Sequence, residues 1–275
     1  MMRRRRLVRF GVLLAIPATV IAWMTIHPRG DRTWIPEQAR APAAEIEGAT
    51  VRIANVRNFT YTARNDFTPA YDARTFDLDK LESVWYVLTP FSERWRGPAH
   101  SFVSFGFADS QFVAISVEAR REPGETYDAV KGLFKRFELI YVVGDERDLI
   151  GQRAAYSTDR VYLYPIKATP EKMRAMFVAM LERANKLRAQ PEFYNTLTNN
   201  CTSNVVAHVN QIAPNTVPSG IKTILPGYTD EVAHRLGLID TRLDIVTARE
   251  RFLVNEQAKR FIRDPRFSSR IRQPL

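Results

Sequence analysis

The sequence holds one cysteine, Cys201, in the run PEFYNTLTNNCTSN, and four histidines that can be weighed as its partner. A thiol becomes a useful nucleophile as its thiolate, a form favoured by the unpaired N–H groups and dipole at a helix N-terminus. Asn199 or Asn200 is a good N-cap, so Cys201 is expected to open a short helix that Pro214 stops. The same N–H groups, with the Asn200 amide beside them, suit a developing oxyanion. Asn200 as a plain cap is the competing reading, and the two roles are compatible. A lone cysteine is more commonly an inert buried residue, so its base has to decide.

That base must come within hydrogen-bond reach of the thiol. His27 follows the apolar N-terminal run, and His234 has no distinctive neighbours. His208 lies on the same helix as Cys201 but ~10 Å along its axis, too far to act, and is read as structural. His100 follows Gly97-Pro98-Ala99 at the start of a β-rich run, where a side chain can face a cleft. It is the expected base.

The elements around His100 specify a partner for it. Residues 101–107 (SFVSFGF) and 111–121 (QFVAISVEARR) read as a hairpin closed by Ala108, Asp109 and Ser110. Apolar residues occupy the odd positions Val103, Phe105, Phe107, Val113, Ile115 and Val117. The even positions carry His100, Ser104, Ser116 and Glu118, diluted by Phe102 and Phe112. Side chains alternate faces along a strand, so the polar set shares one face. A three-residue loop sets Phe107 opposite Gln111 and His100 opposite Glu118. A carboxylate there can orient the imidazole, the third role in triad logic. A surface ion pair of Glu118 with Arg120 or Arg121 is the competing reading.

Further strands are expected over residues 51–63, 137–144 and 160–166, while 78–91 fits neither period. Thr169, Pro170 and the stripe Met173, Phe177, Met180, Leu181 and Ala184 predict a capped helix reaching about Arg188. A Pro-Gly turn and a short helix follow over residues 224–240. Strands come first and helices after, which gives an α+β fold with an antiparallel sheet and packed helices.

The net charge of +10 invites a nucleic-acid reading, but Arg3, Arg4, Arg5, Arg6 and Arg9 cluster at the start. They precede an apolar run over residues 10–26 (FGVLLAIPATVIAWMTI). Positive flank and apolar run together mean membrane insertion, with the flank cytoplasmic and residues 28–275 outside. At about 17 residues, the run favours an uncleaved single-pass inner-membrane helix over a removed signal peptide. No concentrated basic patch argues for nucleic acid. No pair of metal-spaced His or Cys residues, phosphate loop or cofactor motif appears.

HSFVSFGF, ISVEARRE, FELIYVVGDERD, VYLYP, PEFYNTLTNNCTSN and ILPGY occur in that order over roughly residues 90–240. Together they resemble the Lnb-like N-terminal periplasmic domain family, named for a bacterial lipoprotein N-acyltransferase. The resemblance implies a permuted papain-like (NlpC-like) fold, with histidine preceding cysteine. It puts the nucleophile on Cys201 and the base on His100, and less directly the third role on Glu118. It also implies membrane lipid and lipoproteins as partners. The expected organisation is a membrane anchor or signal over 1–28, a linker over 29–50, the thiol-enzyme domain over 51–240 and a C-terminal tail over 241–275.

Three functions compete. One is acyl transfer through a Cys201 thioester; another is peptide or amide hydrolysis in the envelope; the last is a non-catalytic envelope protein with Cys201 in its core. An apolar groove beside Cys201 favours the first, and a polar open groove the second.

Overall fold

The computed structural model describes residues 23–92, 96–220, 222 and 225–273. Most of the expected membrane segment therefore lies outside the described residues. Among those described, no helix is long and apolar enough to cross a membrane.

The architecture is mixed α+β around a mostly antiparallel sheet. Its strands are β1 (Ala43–Glu47), β2 (Thr50–Arg57), β5 (Tyr71–Asp77), β6 (Leu81–Pro90), β7 (Ala99–Phe107), β8 (Phe112–Arg120), β9 (Glu138–Gly144) and β10 (Tyr162–Pro165). They run in the order β1-β2-β9-β8-β7-β6-β10, with β5 also on β2 and β2 parallel to β9 at Arg57 and Gly144. The end of the expected strand over 51–63 is a separate strand, β3 (Thr60–Ala63), which pairs with β4 (Asp66–Thr68) outside the main sheet. The ambiguous stretch 78–91 is largely β6, whose buried and exposed residues do not alternate cleanly because its second half is buried on both faces.

The β7–β8 hairpin has the register that its loop length implies, with Phe102 opposite Ser116 and Val103 opposite Ile115. Its odd positions join β9 residues Leu139, Tyr141 and Val143 in one core. Against this face pack α2 (Pro170–Ala189), with Met173, Phe177, Met180 and Leu181, and α3 (Cys201–Ile212). Thr169 caps α2, its hydroxyl accepting from the Lys172 N–H at 3.4 Å. α4 (Thr229–Arg235) shares with them a cavity lined by its Val232 and Ala233.

The even face is covered as well. Phe102, Ala114, Ile140 and Val142 form a second core with Leu149, Ile150, Ala154, Val254, Ala258, Phe267 and Ile271. These come from the helical turn Arg147–Gly151, from α1 (Gln152–Tyr156), and from α6 (Asn255–Phe261) and α7 (Phe267–Arg270), which follow α5 (Ile245–Arg251). Helices thus sandwich the sheet. Residues 254–271, within the stretch expected as a tail, supply much of the second layer.

The linker expected over residues 29–50 needs correction too. Ala43–Glu47 pairs with β2, and Arg29 N–H and Gly30 N–H donate to the buried Glu138 carboxylate at 2.9 and 3.0 Å. The Arg120 guanidinium donates to the carbonyls of Gln38 and Ala39 at 2.9 and 3.0 Å. With its backbone satisfied by residues about 80 to 110 positions away, this segment is part of the folded body.

Candidate active site

Asn200 caps α3. Its Oδ1 accepts from the Ser203 N–H at 2.9 Å, and the Ser203 hydroxyl accepts from the Asn200 N–H at 2.8 Å. This reciprocal box satisfies two otherwise unpaired groups and fixes where the helix begins. The Asn200 side-chain N–H donates to the Thr196 carbonyl at 2.6 Å, so the amide is committed at both ends. Of its two expected roles, the cap is the one the geometry displays. Cys201 is the first helical residue, buried against the odd-face core, with its Sγ 3.9 Å from Thr202 Oγ1.

His100 stands near the start of β7 and belongs to the even-position set. Its ring Nε2 bonds Ser116 Oγ at 2.8 Å, and the Ser116 hydroxyl donates to Glu118 Oε1 at 2.9 Å. Direct approach of Glu118 to the ring is longer, at 3.9 Å. Glu118 therefore reaches the imidazole through a hydroxyl that is fully buried. Because the carboxylate can only accept, Ser116 donates to it and accepts the Nε2–H. That tautomer leaves the Nδ1 lone pair of His100 free to take a proton.

Other residues hold Glu118. Gln38 Nε2 donates to its Oε2 at 2.8 Å, and an Arg153 Nη lies 3.6 Å from Oε1. Burial by itself would raise the Glu118 carboxyl, but Arg153, Arg57 and His100 outweigh it and hold the group at about 2. Burial, then the Arg153 charge, pushes His100 down to about 3 against the opposing pull of Glu118. The imidazole is neutral throughout the neutral range.

Cys201, His100 and Glu118 line one cleft at the end of β7 and β8, with Gln38, Arg153 and Tyr194 among its other walls. No hydrogen bond joins the Cys201 sulfur to His100 among the described residues; the two approach the cleft from opposite faces of the sheet. Burial, followed by the negative charge that Cys201 and Tyr127 carry when ionised, pushes the Tyr194 phenol upward, so it stays a hydroxyl. On the other side of the first turn of α3 is an apolar cavity of about 180 Å³. Val103, Met173, Met176, Val205, Val209 and Leu238 are among its walls, and Thr202 reaches it from the residue after Cys201.

Sequence reasoning put Ser116 on the right face without a role, and it missed Gln38, Arg153 and Tyr194. Gln38 had no local signal, since it lies in an irregular stretch and acts across 80 positions. His208 is structural, as expected. Its Nε2 pairs with the Tyr141 hydroxyl at 2.9 Å, and burial followed by the Arg183 charge pushes it down to about 4. Among the described residues no group of His, Cys, Asp and Glu is arranged to hold a metal ion.

These shifts predict acid destabilisation. His100 and His208 take up protons below about pH 6.5 when unfolded, yet only near pH 3 and 4 when folded. The unfolded chain binds more protons in that window, so stability falls as pH falls. Each histidine is expected to cost about 2 kcal/mol at pH 5 relative to pH 8. Glu118 adds to the loss below about pH 4.5, as its folded-state advantage disappears toward pH 2. Denaturant unfolding at the two pH values checks this, with His208→Gln flattening the slope. Equal stability at pH 5 and pH 8 would contradict the burial argument.

A family model described as the Lnb N-terminal periplasmic domain matches residues 67–227. No curated protein and no solved structure matches the chain.

Proposed function

The chain belongs to the Lnb N-terminal periplasmic domain family and is an envelope protein, and from that premise we propose that its cleft carries out thiol-dependent acyl transfer. The observation that carries this reading is the apolar cavity against α3, one residue from Cys201. A cavity walled by Val, Met and Leu side chains suits an acyl chain and gives nothing to a peptide's polar backbone.

In the proposed reaction, the His100 Nδ1 takes the Cys201 proton through one water in the cleft that both residues line, as Sγ attacks the carbonyl carbon of a lipid ester. The opening N–H groups of α3 stabilise the oxyanion. The tetrahedral intermediate collapses with cleavage of the C–O ester bond. The leaving alcohol receives the proton from His100, and the acyl group stays on sulfur as a thioester. An amine, here the N-terminus of a lipoprotein, then attacks the thioester carbonyl and gives its proton to His100. The thiolate leaves and recovers that proton, and an amide is released. Nδ1 has to serve because Nε2 is engaged with Ser116. An uncleaved single-pass helix over residues 10–26 would hold this chemistry beside its lipid substrate.

Peptide hydrolysis is the second reading, favoured by the polar walls of the cleft itself, where Gln38, Arg64, Arg121, Gln152 and Asp159 accompany His100.

The test is to trap the thioester. Full-length protein mixed with phospholipid in detergent and quenched in acid is expected to carry one acyl group, released by neutral hydroxylamine. Mass spectrometry should place it on the peptide containing Cys201, and Cys201→Ser should carry no hydroxylamine-labile group. If the wild type stays unmodified while a peptide amide probe acylates Cys201, hydrolysis replaces acyl transfer. Labelling by neither probe would leave an envelope protein without thiol catalysis.

A further inference from the structure

A set of exposed apolar side chains gathers around Trp23 and the Val130–Phe134 segment. Trp23, Met24, Ile26, Val130, Phe134 and Leu197 each leave between 43% and 64% of their surface open. They are far apart in sequence, but their backbones are tied together. The Lys135 ammonium donates to the carbonyls of Trp23 and Ile26 at 3.0 and 3.1 Å and lies 4.4 Å over the Trp23 ring. Thr196 donates through its hydroxyl to the Ala129 carbonyl at 2.7 Å and through its N–H to the Gly132 carbonyl at 3.3 Å. Leu197 is thereby set beside the Val130–Phe134 loop.

A patch of this extent on a folded domain marks an interaction surface. Its neighbours indicate the partner. Lys131 and Lys135 interrupt the apolar residues, while Arg136 is paired with Glu125, and that mixture of apolar and basic groups suits an anionic lipid surface. Trp23 supplies the ring type that gathers at membrane–water interfaces. Trp23, Met24 and Ile26 are themselves the last part of the apolar run over residues 10–26, so the patch is continuous with it.

We propose that this face seats in the lipid–water interface of the membrane entered by the N-terminal apolar run, and that it presents the cleft mouth to the lipid. The proposal rests on the membrane-anchor reading of that run. The link to the cleft is short. Tyr127, three residues before Val130, pairs with the Phe91 ring at 6.5 Å, and both line the cleft that holds Cys201 and His100. The 108–110 turn of the hairpin is at the other end of β7, roughly 30 Å away by strand length, and should stay in water.

The test uses the full-length chain carrying Cys201→Ser, so that its outcome does not depend on catalysis. Val130→Cys, Phe134→Cys, Leu197→Cys and Asp109→Cys are each labelled with an environment-sensitive fluorophore. The proteins are reconstituted into vesicles of phosphatidylethanolamine and phosphatidylglycerol, and circular dichroism checks that each variant is folded. The first three labels are expected to shift their emission to the blue and to be quenched by bromine-bearing lipid, while Asp109→Cys does neither. Water-like emission at all four sites would overturn the proposal. So would a blue shift at the patch that grows with protein concentration and escapes lipid quenching, since a second copy of the chain would then cover the face. Loss of the thioester in the wild type would sink the acyl-transfer reading while leaving these outcomes unchanged.

Discussion

Replacing His100 with alanine is expected to slow acylation of Cys201 by about 10²- to 10⁴-fold, the usual contribution of a positioned general base. The expectation follows from how the ring is held. Nε2 is bound to Ser116, and Ser116 is bound to a carboxylate kept ionised by Arg153 and Arg57, so the proton stays on Nε2 and Nδ1 remains a base. Burial and Arg153 hold the imidazole neutral down to about pH 3. The acylation rate should therefore show no limb near pH 6.5, where an unperturbed histidine titrates. Protonation of His100 is favoured only as pH approaches 3, and loss of the base on that account belongs there. Rapid-quench measurement of thioester formation across pH, in the wild type and His100→Ala, checks both points. Wild-type rates in His100→Ala would remove His100 from the mechanism, whatever the fate of Cys201.

Arg272→Met is expected to destabilise the fold by about 3–5 kcal/mol, the effect of stranding a buried partner charge. The Arg272 guanidinium makes a paired contact with both oxygens of the fully buried Glu146, at 2.8 and 2.6 Å, and lies over the rings of Trp85 and Phe112. The Ser104 hydroxyl on β7 also donates to Glu146, so the C-terminal segment is bolted to the strand that carries His100. Without the arginine, the buried carboxylate keeps only the Ser104 hydroxyl as a donor and loses its counter-charge. Adding Glu146→Gln should recover part of the loss, and denaturant midpoints of the two single variants and the double variant give the coupling. A loss under about 1 kcal/mol in Arg272→Met would mean that the segment is dispensable to the fold.

Local chemistry in the chain was enough to specify several things. Loop length and alternation set the β7–β8 register, because side chains alternate faces and a three-residue turn admits one pairing. Thr169-Pro170 and Asn200-Cys201 located two helix starts, because a cap needs only a residue and its near neighbours. The lone cysteine among few histidines narrowed the candidate chemistry to Cys201 and His100, and the ordered motifs pointed to the family.

Tertiary structure decided the rest. Even positions of the hairpin read as a polar face, yet Phe102 and Ala114 are packed beneath α1, α6 and α7, and the polar residues among them are buried in a network. Residues 29–50 and the stretch after 241 gave no sign of their place in the fold because their partners, Glu118, Glu138 and Glu146, are supplied from far along the chain. Ser116 between His100 and Glu118 could not be assigned from parity, which gives the face of a side chain but not which of three neighbours it bonds. Periodicity and capping record contacts within a few residues. The orientation of His100, the second helical layer and the cavity against α3 arise from contacts across tens to more than a hundred positions, which only the folded chain brings together.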